Sequence, residues 1–103
     1  MKETPTEFER RCHESLTRYF VKHPNDAMSK RAMKALQFIT SGEQPLSGKP
    51  EGWAAGIIYF LATQDRQACG VPGLLNSEFE SFFGVTMGTV RKRAARIKSL
   101  LAV

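Results

Sequence analysis

The chain has 103 residues, of which 42% are hydrophobic and 24% charged, and its formal net charge is +5. We expect one compact domain, since two domains of half this length would each be too small to support a core. The composition excludes collagen-like, low-complexity and intrinsically disordered proteins.

The sequence indicates neither a membrane span nor a fold held by disulfides or metal. The longest apolar run, residues 53–62, is about half of the roughly 20 residues that a spanning helix needs. The N-terminal residues mix acids and bases without an apolar run, so we predict no secretory signal and a cytoplasmic location. Cys12 and Cys69 lie far apart and outside any Cys/His cluster. We therefore predict reduced, buried thiols and no metal site.

The first half of the chain has the apolar periodicity of two amphipathic helices, over about 6–23 and 27–40. The sequence His-Pro-Asn-Asp at 23–26 is predicted to end the first helix and to cap the second. On the second helix the expected core residues are Met28, Ala32, Leu36 and Ile39, and the bases predicted to face solvent are Lys30, Arg31 and Lys34.

A third helix is predicted over about 50–64, because Pro50 suits the first turn of a helix. Its apolar side chains cover nearly every direction around the axis, which is typical of a helix surrounded by others. Small residues such as Gly56 would let neighbouring backbones approach closely. We therefore expect this helix to be the central one. A Gly- and Pro-rich loop follows at 66–74.

The last third of the chain has a helix-turn-helix pattern, with helices predicted over about 76–83 and 87–101. Gly84 is expected to stop the first of these helices, Val85 to fill the space at the turn and Thr86 to cap the last helix. Val90 is expected to pack back onto the fourth helix. No segment has the pattern of a strand, so the sequence predicts one all-α domain of five helices over 1–103.

The basic charge is concentrated on the last helix. Residues 86–103 contain five bases and no acid, whereas acids and bases balance over the rest of the chain. A concentrated basic helix is typical of a phosphate-binding surface, although many charge runs serve only solubility. The predicted nucleic-acid-binding residues are Thr86, Gly88, Thr89, Arg91, Lys92, Arg93, Arg96 and Lys98.

Each candidate has a distinct expected role at a nucleic-acid surface. Gly88 would allow close approach, and Thr89 and Lys92 would reach base edges. The arginines and Lys98 would contact phosphates. A helix, a glycine turn and a second helix also occur in purely structural bundles. Before charge is considered, the pattern favours the structural and the nucleic-acid-binding interpretation equally. The unopposed bases favour binding.

Two segments carry a family resemblance. Residues 48–59, Gly-Lys-Pro-Glu-Gly-Trp-Ala-Ala-Gly-Ile-Ile-Tyr, and 84–93, Gly-Val-Thr-Met-Gly-Thr-Val-Arg-Lys-Arg, resemble one core repeat of transcription factor IIB, a cyclin-box domain. The first segment also resembles a family of small bacterial domains of unknown function. The resemblance implies a cyclin-box-like orthogonal bundle with a buried third helix. It also implies DNA-contacting or capping roles for Thr86, Thr89, Arg91 and Arg93. The chain departs from that family in having one repeat instead of two, and in having Ala94 where an aromatic residue is frequent.

The sequence therefore predicts a DNA-binding, transcription-regulator-like domain that acts as a homodimer or beside a second DNA-binding element. The alternative is a cyclin-box-like module that binds a protein partner without nucleic acid. A third option, a basic helix on a membrane surface, requires Leu100, Leu101 and Val103 to be free of the core. No catalytic constellation is present, since the adjacent Cys12 and His13 point about 100° apart on a helix. We predict no enzymatic activity and no cofactor.

Overall fold

The computed structural model describes residues 5–41, 48–66 and 76–101, and within these ranges the chain forms helices and no strand. The helices are α1 (Pro5–Lys22), α2 (Asp26–Thr40), α3 (Pro50–Arg66), α4 (Asn76–Phe83) and α5 (Met87–Leu101). The all-α prediction is confirmed, and every helix begins and ends within two residues of its expected limits. The predictions for Cys69 and for the loop over 67–74 lie outside the residues that the structure describes.

The helix limits follow from local chemistry. The Asn25 side chain accepts a hydrogen bond from the backbone N–H of Met28 at 3.1 Å and so caps α2. Gly84 ends α4 with φ of +69°, the left-handed conformation that glycine adopts without a steric cost. Both caps were predicted from sequence. They fix where the chain turns before the two helices that carry most of its basic residues.

α3 is the central helix, as predicted. It contacts all four other helices, and every residue from 52 to 58 is buried. Only 2% of the Trp53 surface is accessible to solvent, and Ile57 and Ile58 are fully buried. At the start of α3 the buried Cys12 thiol of α1 donates to the carbonyl of Pro50 at 3.2 Å. The prediction of a buried thiol at Cys12 is therefore confirmed.

The backbones of α3 and α5 lie close together where the two helices cross at Gly56. A Cβ placed on Gly56 would lie 2.7 Å from the Cβ of Arg93 and 3.2 Å from the backbone nitrogen of Ala94. Only a residue without a side chain fits between these two backbones. α5 packs most extensively on α3 and less on α2. Val90 is fully buried, but the main partner of α5 is α3 and not α4 as the helix-turn-helix pattern suggested.

An aromatic cluster joins α4 to α1. Tyr19 lies at its centre, with its ring 5.8 Å from that of Phe83, 5.9 Å from that of Phe82 and 4.8 Å from that of His23. Phe79 closes the inner side of the cluster. Burial in these apolar surroundings raises the pKa of the Tyr19 phenol above its ordinary value. α4 is thus held by ring packing, which positions the turn that leads into α5.

Candidate nucleic-acid interface

Two side chains fix the N-terminal end of α5. The Thr86 hydroxyl oxygen accepts from the backbone N–H of Thr89 at 3.3 Å, which confirms the predicted cap. A Glu80 carboxylate oxygen accepts from the backbone N–H of Met87 at 2.6 Å. This second cap was not predicted, because Glu80 belongs to α4 and reaches α5 only through the fold of the turn. Together the two caps satisfy two otherwise free N–H groups in the first turn of α5.

The outward face of α5 consists of small residues between two rows of bases. Gly88, Ala95 and Ser99 are exposed and follow one line along the helix. At 100° per residue, one row contains Arg91 and Lys98 and the other contains Lys92 and Arg96, and all four side chains are exposed. The helix contains no acidic residue. Six of the eight predicted site residues thus share the exposed surface of α5 and its cap: Thr86, Gly88, Arg91, Lys92, Arg96 and Lys98.

The remaining two predicted site residues, Thr89 and Arg93, turn toward α3 and are half-buried. The Arg93 guanidinium lies over the Trp53 ring, 5.0 Å from its centroid, in a cation–π contact. The same group closely contacts Gly48, and its Nε is buried with no hydrogen-bond partner among the residues that the structure describes. The Thr89 methyl group faces Gly52 of α3. Both residues lie on the flank of α5 between its core side and its solvent side, so their directions depend on α3.

A further set of bases lies on the neighbouring helix. α2 contacts α5, and its three predicted solvent-facing bases, Lys30, Arg31 and Lys34, are exposed as expected. Phe38 on the same helix is 50% exposed, which is unusual for a large apolar ring. Helical periodicity places Phe38 outside the core stripe of α2 and predicts no role for it. The only feature of the sequence that indicates the exposure of Phe38 is its position four residues after Lys34, on the polar side of the helix.

A shallow cleft opens beside Phe82 on another part of the surface. It is lined by Lys22, Ser77, Glu78, Ser81 and Phe82. The Lys22 Nζ lies 5.9 Å from the centroid of the half-buried Phe82 ring. Among the apolar residues that the membrane-surface option requires to be free, Leu100 and Leu101 pack against the core, and Val103 lies outside the described ranges. The structure therefore gives no support to that option.

Other kinds of site are not evident in the part of the chain that the structure describes. Over 5–41, 48–66 and 76–101, no three His, Cys, Asp or Glu side chains are grouped so that they could hold a metal ion. Across those same ranges, no helix combines the length and the apolar character needed to cross a membrane. Comparisons with protein-family models, with curated proteins and with solved structures give no match, so the function is inferred from the residues and their geometry.

Proposed function

We propose that this chain is a DNA-binding, transcription-regulator-like domain that docks α5 on the duplex. The observation that carries the proposal is the outward face of α5, where exposed basic side chains flank a line of small residues on both sides and the helix itself contains no acidic residue. A narrow, small-residue face suits a helix that enters a major groove about 12 Å wide. Bases on either side of it suit the phosphates of the two strands that border the groove.

The same geometry sets the expected salt dependence. Each phosphate neutralised by a base releases condensed counterions, so the logarithm of the affinity falls with the logarithm of salt by about 0.9 per contact. Four contacts, from Arg91, Lys92, Arg96 and Lys98, give a slope of about −3 to −4. Arg93 is left out of this sum because its guanidinium already lies over Trp53.

The fold supports a narrower version of the proposal, in which the domain is a cyclin-box-like orthogonal bundle similar to a transcription factor IIB repeat. The support is the number and order of the helices and the buried α3 that begins at Pro50. The Gly-Val-Thr sequence also forms the turn and the cap before α5. We propose that the domain acts in the cytoplasm as a homodimer or beside a second DNA-binding element.

The test is fluorescence anisotropy of random-sequence duplex DNA over a salt series. The α5 variant is Lys92→Glu with Arg96→Glu, both at exposed positions. Its matched control is Arg10→Glu with Arg18→Glu, which changes the net charge equally on the exposed side of α1. We expect the α5 variant to lose at least about tenfold in affinity and the control to lose much less. An equal loss in both variants, or binding by the wild type that does not weaken with salt, would contradict the proposal.

The second candidate function is protein binding without nucleic acid. The cleft beside Phe82 favours it, because an apolar ring in the lining of an open cleft is typical of a protein contact. This candidate predicts that the wild type binds no duplex at any salt concentration. It also predicts a partner that co-purifies after nuclease treatment and is lost from Phe82→Ala but not from the α5 variant.

A further inference from the structure

The exposed face of α2 combines bases with an aromatic ring. Phe38 lies four residues after Lys34 and seven after Arg31, spacings that put all three side chains on one face of the helix. Lys30 borders the same face. Apart from Asp26 in the first turn, α2 has no acidic residue. This face is called the α2 stripe, and its residues are Lys30, Arg31, Lys34 and Phe38.

The contacts of α2 place the stripe next to α5. The Thr40 hydroxyl donates to Glu9 at 3.3 Å, so the Thr40 flank of α2 faces α1. The side of α2 with Ala32, Leu36 and Ile39 is buried in the core. The flank of α2 opposite Thr40 is therefore the one left to contact α5. It carries the buried Ala35, and Arg31 and Phe38 lie next to Ala35 on the solvent side.

The contacts of α5 lead to the same arrangement from the other side. Thr89 and Arg93 face Gly52 and Gly56 of α3. The opposite flank of α5, which carries the exposed Arg91 and Lys98, is therefore the one nearer α2. The α2 stripe and this row of basic residues of α5 therefore lie on the flanks of two helices that contact each other.

We propose that Phe38 stacks on an unpaired nucleobase, so that the preferred ligand is DNA with a junction between duplex and single strand. This inference rests on the proposed docking of α5 and adds the class of nucleic acid. Every nucleobase has a π face, and stacking on an exposed aromatic ring beside basic side chains is a common mode of single-strand binding. Bases inside a duplex are already stacked, so Phe38 contributes only where a base is unpaired.

Charge favours a nucleic acid over a second copy of this chain as the occupant. A symmetric contact between two α2 stripes would bring Lys30 and Lys34 of one copy close to Lys30 and Lys34 of the other copy. Such like-charge pairs oppose association. A single strand that leaves the α5 surface presents its phosphates to these lysines and its nucleobases to the Phe38 ring. Both the basic and the aromatic part of the α2 stripe then have a partner.

The experiment compares two probes: a blunt random-sequence duplex, and the same duplex with a short single-stranded overhang that contains a fluorescent adenine analogue. The variant is Phe38→Ala. The matched control is Val21→Ala, because Val21 is the other exposed large apolar residue within the described ranges and lies on α1. Phe38→Trp tests rescue. We expect the wild type to bind the overhang probe more tightly and to change the analogue's emission. Phe38→Ala should lose about five- to tenfold in affinity for the overhang probe only, and Phe38→Trp should retain the affinity.

The outcomes separate this inference from the proposed function. If blunt duplex binds through α5 but the overhang adds no affinity, or if Phe38→Ala weakens both probes equally, the stacking inference is wrong and the docking of α5 stands. If Val21→Ala has the same effect as Phe38→Ala, the effect is not stacking. If Phe38→Ala instead dissociates a dimer in size-exclusion chromatography with light scattering, the α2 stripe is a contact between copies. If neither probe binds, both proposals fail.

Discussion

Gly56→Ala is expected to destabilise the protein, although alanine is the better helix former. Alanine in place of glycine inside a helix normally stabilises it by about 1 kcal/mol. At Gly56, however, the new Cβ would lie 2.7 Å from the Cβ of Arg93 and 3.2 Å from backbone atoms of α5. Contacts this short cannot be relieved by rotating a side chain, so α5 must move away from α3.

The expected size of the effect follows from these two opposed contributions. Overpacking a tight core costs about 1–3 kcal/mol, and the backbone contacts place Gly56→Ala in the upper half of that range. When the gain in helix propensity is subtracted, we expect Gly56→Ala to lower the free energy of unfolding by about 1–2 kcal/mol. For a domain of about 100 residues, this loss lowers the melting temperature by about 5–15 °C.

The change in stability is measured by urea denaturation, with circular dichroism and the fluorescence of Trp53 as the two probes. Trp53 is the single tryptophan and is buried at this crossing. Gly52→Ala is the matched control one turn earlier in α3. Its new Cβ would lie 3.5 Å from Thr89 and 3.8 Å from Val85, which are ordinary contact distances. We expect Gly52→Ala to be as stable as the wild type or up to about 1 kcal/mol more stable. If Gly56→Ala matches Gly52→Ala, the close crossing of α3 and α5 is refuted.

Two further predictions concern the cap of α5 and the aromatic cluster. Glu80→Ala removes the acceptor of the Met87 N–H and should cost about 1 kcal/mol, and Glu80→Gln should cost less because it keeps an acceptor; equal urea midpoints for Glu80→Ala and wild type would show that the bond does not contribute. Burial raises the pKa of Tyr19 above 10.0, so the stability gained from its neutral phenol is complete below pH 10 and is lost as pH rises through the folded-state pKa. Tyr19→Phe should flatten that alkaline decline in the urea midpoint, and an unchanged decline would mean that Tyr19 is not its source.

The elements of this fold could be predicted from sequence because their signals are local. Pro50, Asn25, Gly84 and Thr86 act on the backbone within a few residues of their own positions. The full apolar coverage of α3 likewise indicates burial whichever helices surround it. For these features the sequence contains the physical cause itself.

The site was less predictable, because its details depend on which helices meet. The flank position of Arg93 on α5 allows its long side chain to face either solvent or a neighbour, and the Trp53 ring beside it decides the direction. The cap from Glu80 exists only because the turn brings the end of α4 back to Met87. Helical periodicity places Phe38 on the polar side of α2, but it does not show that α2 contacts α5.

The contact between Arg93 and Trp53 also determines the angle at which α5 presents its other bases. Arg93 has its Cβ against Gly56 and its guanidinium over Trp53, with Nε shielded from solvent. Rolling α5 about its own axis would pull this side chain off the ring. The azimuth of Arg91, Lys92, Arg96 and Lys98 is therefore set before any ligand arrives. A polyanion should meet a preformed array and associate rapidly, without a slow conformational step.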